Sequence, residues 1–70
     1  MIRTGRYRHY KGNDYQVIGI ARHSETEEDL VVYRKLYDDG SLWVRPLAMF
    51  MEDVTIDGRK VPRFSWSGEE

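Results

Sequence analysis

The dipeptide Asp-Gly occurs twice in this 70-residue chain, at residues 39–40 and 57–58, each time between segments rich in strand-forming side chains. Asp and Gly both tolerate the positive φ angles that a tight β-turn requires, so each dipeptide predicts a hairpin. At the second hairpin a two-residue loop places Val54 opposite Val61. These turns indicate a chain built mainly from short antiparallel strands.

The pairing across the first hairpin depends on the length of its loop. A loop with an even number of residues would set Arg34 opposite Arg45. A three-residue loop over 38–40 instead sets Leu36 opposite Leu42. We favour the three-residue loop because it separates the like charges and brings apolar side chains together. It places two sets of side chains on opposite faces of the hairpin: Val32, Leu36, Leu42 and Val44 on one, and Tyr33, Lys35, Trp43 and Arg45 on the other.

Local composition predicts the secondary structure of the first third of the chain. Residues 5–10 are expected to form an opening strand, and the Val- and Ile-rich segment 15–21 a second strand. Gly19 at the centre of that segment indicates a bend or the close approach of a neighbour. Residues 23–29 are polar and predict a loop.

The segment 47–51, Leu-Ala-Met-Phe-Met, follows Pro46 and is too short for an independent helix. We predict one helical turn that plugs a barrel with its Met and Phe side chains. Residues 65–70 show little pattern and are expected to fray, leaving an ordered core of about 5–64 within a single domain, 1–70. About five short strands with closely spaced turns indicate an all-β fold, a small barrel that removes exposed sheet edges.

Length and composition are consistent with one small domain. With 40% hydrophobic residues, a chain this short buries only about 60% of its unfolded surface, so we expect marginal stability in a monomer or weak homodimer. There is no cysteine, hence no disulfide or thiolate metal site. Residues 1–5 lack the apolar stretch of a signal peptide, and the apolar run 17–21 is far too short to span a membrane. A cytoplasmic location without membrane contact is therefore expected.

Three separated motifs carry a resemblance to a known family. They are Tyr-Arg-His-Tyr-Lys-Gly at 7–12, Ala-Arg-His-Ser-Glu-Thr at 21–26 and Trp-Val-Arg-Pro at 43–46. Their combination resembles a short bacterial family known only as a domain of unknown function. The resemblance implies an SH3-like barrel, and it brings no activity, cofactor or partner with it.

The same motifs place aromatic rings beside fixed positive charges. Rings bury area at low entropy cost and guanidinium groups supply directional donors, a combination typical of recognition surfaces. We therefore predict a non-enzymatic binding module for a peptide or protein, in which the acidic segment 25–29 selects a basic residue of the partner. The candidate binding residues are Tyr7, Arg8, His9, Tyr10, Arg22, His23, Glu25, Tyr33, Trp43 and Arg45.

Single-stranded nucleic acid is the alternative partner. Small barrels use aromatic rings to stack bases, and Arg or Lys to follow the phosphates. The net charge of −1 and the acidic segment 25–29 oppose this interpretation. The salt dependence of binding distinguishes nucleic acid from peptide. Affinity that depends on neutralising phosphates falls steeply with salt, whereas the affinity of an aromatic groove for a peptide changes modestly.

A small-molecule or metal-assisted enzyme ranks third. His9, His23 and Glu25 are candidate metal ligands, since imidazole suits zinc or iron, but a further ligand at matching spacing is missing from the sequence. No nucleophile elbow or phosphate-binding glycine loop is present either. We therefore predict no metal and no cofactor.

Each candidate also has a purely structural interpretation. The aromatic side chains can belong to the core, and Arg8 or Arg45 can pair internally with Asp14 or Glu25. His23 can order the acidic loop that follows it. The structure separates these interpretations residue by residue.

Overall fold

The structure, a computed structural model, describes residues 2–68. It confirms a small, mostly antiparallel β domain with one short helix, although with seven strands rather than about five. In chain order the elements are β1 (Gly5–His9), β2 (Asp14–Arg22), β3 (Asp29–Lys35), β4 (Leu42–Pro46), α1 (Leu47–Phe50), β5 (Asp53–Ile56), β6 (Arg59–Pro62) and β7 (Phe64–Gly68).

Five strands form one sheet in the order β4-β3-β2-β1-β7, and β5 pairs with β6 in a separate hairpin. Within the described residues the sheet does not close into a hydrogen-bonded barrel, because β5 and β6 pair only with each other and bridge neither edge. The sheet therefore ends at β4 on one side and at β7 on the other. The β5–β6 hairpin has the predicted register, with Val54 opposite Val61 across the turn at 57–58.

The β3–β4 hairpin has a longer loop than the predicted three residues. Arg34 pairs with Leu42, so the predicted pairing of Leu36 with Leu42 is wrong by two residues. The reason is tertiary: the Leu36 N–H donates to the Asp14 carbonyl at 3.1 Å, while the Lys35 N–H closes the hairpin on the Ser41 carbonyl at 3.0 Å. Leu36 is thereby drawn toward β2 and away from β4.

A shift of two residues leaves every side chain on its predicted face. The buried face, however, is the one that carries Tyr33, together with Val31. Leu42 and Val44, on the more apolar of the predicted faces, are 55% and 56% exposed. The hairpin therefore buries an aromatic side chain and leaves aliphatic side chains in solvent.

The helical turn α1 covers the open side of the sheet with Phe50, which is buried, as predicted. The prediction for the Met side chains is wrong, since Met49 and Met51 are 47% and 60% exposed. Leu47 and Phe50, three residues apart, share the face of the turn that packs against the core, and Met49 and Met51 lie off that face. The core consists of Tyr7, Val17, Val31, Tyr33, Phe50 and Phe64. Within residues 2–68 the structure contains no helix with the length and apolar character that a membrane crossing needs.

The bend expected at Gly19 is a β-bulge in β2. Val17 pairs with Tyr33 and Gly19 pairs with Val32, so one extra residue, Ile18, is accommodated between them. A Cβ built on Gly19 meets nothing within 4 Å. The bend is therefore confirmed and a close neighbour at this glycine is not found.

The tail expected to fray is an edge strand for residues 65–68, which corrects the prediction; residues 69–70 lie outside the described part of the chain. β7 pairs with β1, with Trp66 opposite Tyr7. The indole Nε1–H of Trp66 donates to the Thr4 carbonyl at 3.2 Å, and the Arg3 guanidinium lies 3.6 Å from the centre of its ring. These contacts hold the last strand against the first.

Candidate functional site

A pocket of about 320 Å³ lies beside the β3–β4 hairpin. Strand residues two apart share a face, so Tyr33 and Lys35 on β3 lie near Trp43 and Arg45 on β4. β2 adds Tyr15, which pairs in register with Lys35. We call this site the aromatic pocket, and its lining residues are Tyr15, Tyr33, Lys35, Tyr37, Trp43 and Arg45.

The aromatic rings of the pocket range from buried to half exposed. Tyr33 is buried, and its ring meets that of Tyr15 edge-on with 5.3 Å between centroids. Trp43 is 51% exposed, and its Nε1–H donates to Ser41 Oγ at 2.8 Å. The pocket thus offers a solvent-facing ring beside a packed aromatic cluster, an arrangement that suits an amphipathic ligand.

Tyrosine hydroxyls supply polar groups to the same pocket. The hydroxyls of Tyr15 and Tyr37 share a hydrogen bond of 2.7 Å. Burial, followed by this hydrogen bond, raises the pKa of Tyr15 to about 12. The Tyr15 phenol therefore stays protonated at neutral pH.

Lys35 is a cation whose charge is already matched within the chain. Its Nζ lies 3.4 Å from an Asp38 carboxylate oxygen and 3.6 Å from one of Asp39. The same atom lies 5.2 Å from the ring centre of Tyr37 and 5.6 Å from that of Trp43. Two carboxylates and two ring faces hold the ammonium group at the end of the pocket.

Arg45 is held differently. Its Nε–H donates to the Tyr33 hydroxyl at 3.4 Å, and its guanidinium carbon lies 5.7 Å from the ring centre of Phe64. Among the described residues no carboxylate lies within ion-pair distance of this guanidinium. Within residues 2–68 the half-buried Arg45 is therefore a cation without a paired carboxylate.

A second pocket, of about 410 Å³, lies on the other side of His9. The imidazole ring is near the aromatic pocket, since its centre lies 6.3 Å from that of Tyr15, and it also packs on Phe64 at 4.9 Å. We call it the His9 pocket; its lining includes Arg8, His9 and Tyr10 from the first strand and turn, and Ile56, Val61 and Pro62 from the β5–β6 hairpin.

The pKa of His9 depends on burial and on the positive charges around it. Burial, and then the positive charges of Arg45, Arg63 and Lys11, lower the pKa of His9. The Lys11 backbone N–H donates to His9 Nδ1 at 3.2 Å, which requires that nitrogen to be unprotonated. The junction between the two pockets is therefore electropositive and holds a neutral imidazole.

The structure brings six of the ten predicted site residues to these two pockets. Tyr33, Trp43 and Arg45 line the aromatic pocket, and Arg8, His9 and Tyr10 line the His9 pocket. Arg8 also has the internal partner that the structural interpretation anticipated, since its Nε lies 2.9 Å from Asp14.

Tyr7 is buried in the core, at the edge of a further pocket of about 400 Å³ whose lining also includes Phe50 and Phe64. It is 7% exposed, its hydroxyl donates to the Arg3 carbonyl at 2.8 Å, and its ring meets Phe50 edge-on at 5.4 Å. The alternation of buried and exposed residues along β1 turns Tyr7 inward. This burial fits the structural interpretation, in which the aromatic side chains belong to the core.

The remaining three predicted residues lie around the β2–β3 loop, at the opposite end of β3 from Lys35. Arg22 pairs with Asp29 at 3.2 Å. The His23 Nδ1 accepts the backbone N–H groups of Glu25 and Thr26 at 3.0 and 3.3 Å, so His23 orders the acidic loop as its structural interpretation states. At about 3.3 Å per strand residue, the loop end of β3 lies roughly 20 Å from Lys35 but only about 7 Å along the strand from Val31, which pairs with Arg45. Arg22, His23 and Glu25 are nevertheless not among the residues that line the aromatic pocket.

Sequence reasoning did not include Tyr15, Lys35 and Tyr37 among the site residues. Tyr15 reaches the pocket because β2 pairs with β3, and Tyr37 because the longer loop turns back toward Tyr15. Only Lys35 carried a signal, since the predicted hairpin already grouped it with Trp43. Within residues 2–68 no three His, Cys, Asp or Glu side chains are grouped so that they could hold a metal ion.

Comparison with known proteins agrees with the fold described above. The profile of DUF1653, a protein family of unknown function, matches residues 5–66. The crystal structure of a DUF1653 protein from Bordetella bronchiseptica is similar, with 39% sequence identity, coverage of 99% of this chain and 91% of that chain, and a TM-score of 0.90. No curated protein matches the sequence significantly. The family match spans nearly all of the seven strands, and the chain belongs to the DUF1653 family.

Proposed function

We propose that the protein is a cytoplasmic, non-enzymatic module that binds an extended peptide segment at the aromatic pocket and along β4. The observation that carries this proposal is the position of the pocket: two of its lining residues, Trp43 and Arg45, belong to a strand at the edge of the sheet. A peptide can therefore contact the strand edge and the pocket at once.

The edge of β4 supports strand addition. Among the strands of residues 2–68, β4 pairs with β3 alone, so its outward N–H and C=O groups are available to a partner. An extended segment added here gains main-chain hydrogen bonds, and every second side chain points toward the pocket. The same edge can pair weakly with a second copy of the chain, which fits a monomer or weak homodimer.

The side chains of β4 also support recognition. Leu42, Trp43 and Val44 are all more than half exposed. Trp43 is on the pocket side, next to Arg45, and a Trp–Arg pair is typical of residues that dominate binding energy. Strand pairing supplies affinity in this arrangement, and the pocket supplies selectivity.

One observation favours single-stranded nucleic acid as a second candidate. Lys11, Arg45 and Arg63 all act on His9, so positive charge converges on a row of aromatic rings. Against this, Arg8 and Lys35 are paired with carboxylates of Asp14, Asp38 and Asp39, which also repel phosphates. Peptide recognition remains the better supported proposal.

The test is an amide-resolved NMR titration of labelled protein with a pool of short peptides and with a mixed single-stranded oligonucleotide, each at low and at high salt. A peptide-binding module shows shifts along β4 and at the aromatic pocket that survive high salt. Shifts that appear only with oligonucleotide and vanish in high salt would instead establish the nucleic-acid function.

Two neighbouring positions on β4 supply a matched pair of variants. Trp43 and Val44 are 51% and 56% exposed, and they face opposite sides of the strand. Trp43→Ala should weaken peptide binding strongly, while Val44→Ala, which leaves the pocket intact, should weaken it little. Equal losses of peptide affinity in the two variants would show that the strand edge binds the peptide without the pocket. Spectra at a series of protein concentrations identify self-association.

A further inference from the structure

We propose that the aromatic pocket receives a carboxylate group of the bound peptide, and that Arg45 is the residue that binds it. The inference rests on the proposed function and adds the chemistry of the ligand. A carboxylate in a peptide comes from an acidic side chain or from the free carboxyl terminus, and both present the same planar anion to a guanidinium.

Several hydrogen-bond donors of the pocket have no acceptor among residues 2–68. Of the five N–H groups of Arg45, only Nε–H has a partner among the described residues, the Tyr33 hydroxyl. Because that oxygen accepts the bond, the Tyr33 O–H proton is itself free to donate. The Tyr15 and Tyr37 hydroxyls share one bond and retain one further proton. Donors without an acceptor converge on this pocket, and an anion satisfies them.

Arg45 differs in this respect from three other arginines of the sheet and its flanking loops. Arg8, Arg22 and Arg63 each lie within 3.2 Å of a carboxylate oxygen, whereas the half-buried Arg45 has no such neighbour in residues 2–68. A partly desolvated charge without a counter-ion is costly, so an incoming anion is stabilised more at Arg45 than at an exposed, paired arginine.

The rim of the pocket favours a single negative charge. Asp38 and Asp39 lie near Lys35 at the end of the pocket and neutralise that ammonium group. Their charges oppose a phosphate, which carries close to two negative charges at neutral pH, more strongly than a carboxylate, which carries one. Trp43 and Tyr37 provide ring surface for the apolar group attached to the carboxylate. The arrangement therefore fits a carboxylate next to an apolar or aromatic group.

The first test uses small probes on the intact wild-type protein, so it does not depend on finding the natural peptide. N-acetyl-phenylalanine presents a carboxylate beside an aromatic ring, and its amide is the uncharged twin. N-acetyl-glutamate amide and N-acetyl-glutamine amide form the corresponding pair for an acidic side chain. NMR of the Arg45 Nε–H group should show saturable shifts with the carboxylate members and none with the amides. Equal shifts within both pairs, or shifts with inorganic phosphate alone, would overturn the proposal.

The second test uses peptide pools that differ only in the anion. One comparison is a pool with a fixed glutamate against its glutamine twin, and another is free against amidated carboxyl termini. The glutamate pool or the free-terminus pool should bind about tenfold more tightly than its twin, which identifies the source of the carboxylate.

Variants assign the effect to Arg45. Arg45→Gln should remove the preference for the anionic pool, and Arg45→Lys, which keeps the charge but loses the planar fork, should restore part of it. Arg59→Gln on the separate β5–β6 hairpin removes the same charge and should change nothing. If Arg45→Gln and Arg59→Gln behave alike, Arg45 is not the carboxylate-binding residue. Where Arg45→Gln fails to fold, Arg45→Lys and the wild-type probe titrations still decide.

These outcomes keep the two proposals apart. If peptides bind along β4 with no difference between acid and amide pools, the carboxylate inference fails and the peptide function stands. If no peptide binds but N-acetyl-phenylalanine shifts the Arg45 Nε–H group, the carboxylate site stands and the peptide function fails.

Discussion

The ring of Phe50 stacks face to face on the ring of Phe64, with 4.0 Å between centroids and 5° between ring planes. Phe50 lies in the helical turn and Phe64 in the last strand, so this contact joins α1 to β7. Both rings are almost fully buried, and Tyr7 and Tyr33 pack around Phe50. The stack connects elements that share no backbone pairing.

We expect Phe50→Ala to unfold the domain. Removing a buried Phe ring costs about 3–5 kcal/mol, which is close to the full stability that a core of this size supplies. Met51→Ala, next to it but 60% exposed, should change the free energy of unfolding by less than about 0.5 kcal/mol. Circular dichroism during chemical denaturation measures both, and a folded Phe50→Ala variant would contradict this role for the stack.

The last strand should contribute measurably to stability. Trp66→Ala removes the indole hydrogen bond to Thr4 and the stacking of Arg3, and we expect a loss of about 1–2 kcal/mol for this half-buried ring. Truncation after residue 64 should be more severe, because it deletes the pairing of β7 with β1. Truncation after residue 68 is the control, and thermal denaturation compares all three. Unchanged melting after truncation at residue 64 would restore the expectation of a frayed tail.

Two glycines should respond oppositely to the same substitution. Gly12 has a φ of +108°, which L side chains rarely adopt, so Gly12→Ala should cost about 1–3 kcal/mol although nothing lies within 4 Å of the new Cβ. Gly19, in the bulge, has no such φ and has open space, so Gly19→Ala should stabilise the domain by about 0.4–1 kcal/mol. Denaturation midpoints at equal protein concentration measure the pair. A similar loss in both variants would mean that the bulge itself requires glycine.

The stability of the domain should fall as His9 is protonated. Burial and the charges of Arg45, Arg63 and Lys11 lower the pKa of His9 in the folded protein relative to the unfolded chain. The unfolded state therefore binds the proton more readily, so the stabilisation is complete above about pH 6.5 and is lost as the pH falls through the lower, folded pKa. Protonation of Nδ1 also breaks the hydrogen bond from the Lys11 N–H.

Chemical denaturation at about pH 7.5 and at about pH 5.5 tests this dependence. His9→Asn keeps a side-chain acceptor for the Lys11 N–H but does not titrate, so the difference in stability between the two pH values should shrink. The carboxyls of Asp14 and Asp39, whose pKa values are lowered in the folded protein, titrate at more acidic pH and do not contribute in this window. An undiminished pH dependence in His9→Asn would assign the effect to another group.

Local turn chemistry made part of the fold predictable from sequence. The β5–β6 register follows from a two-residue Asp-Gly loop, whose geometry leaves little freedom. The β3–β4 register was wrong because Leu36 hydrogen bonds to Asp14 of another strand, a contact that no local pattern encodes. The error of two residues preserved the faces, so the grouping of Lys35 with Trp43 still held.

The other wrong predictions concern segments too short to show a clear sequence pattern. Phe64 and Trp66 alternate with Ser65 and Ser67, the period-two pattern of a strand, but the pattern is only four residues long. The aromatic pocket required the pairing of β2 with β3 to bring in Tyr15, and that pairing depends on a bulge. Side-chain type therefore supplied the candidate residues, and tertiary register selected which of them meet at the pocket.

The position of β1 between β2 and β7 constrains how the domain acquires its structure. β1 can pair with β2 early, because only a short turn separates them. The other edge of β1 stays unpaired until residues 64–68 reach it. Closing a loop that spans nearly the whole chain is entropically slow, so folding should be limited by this non-local step. During synthesis on a ribosome, the sheet remains incomplete until the last strand emerges, and the domain then folds in a single late event.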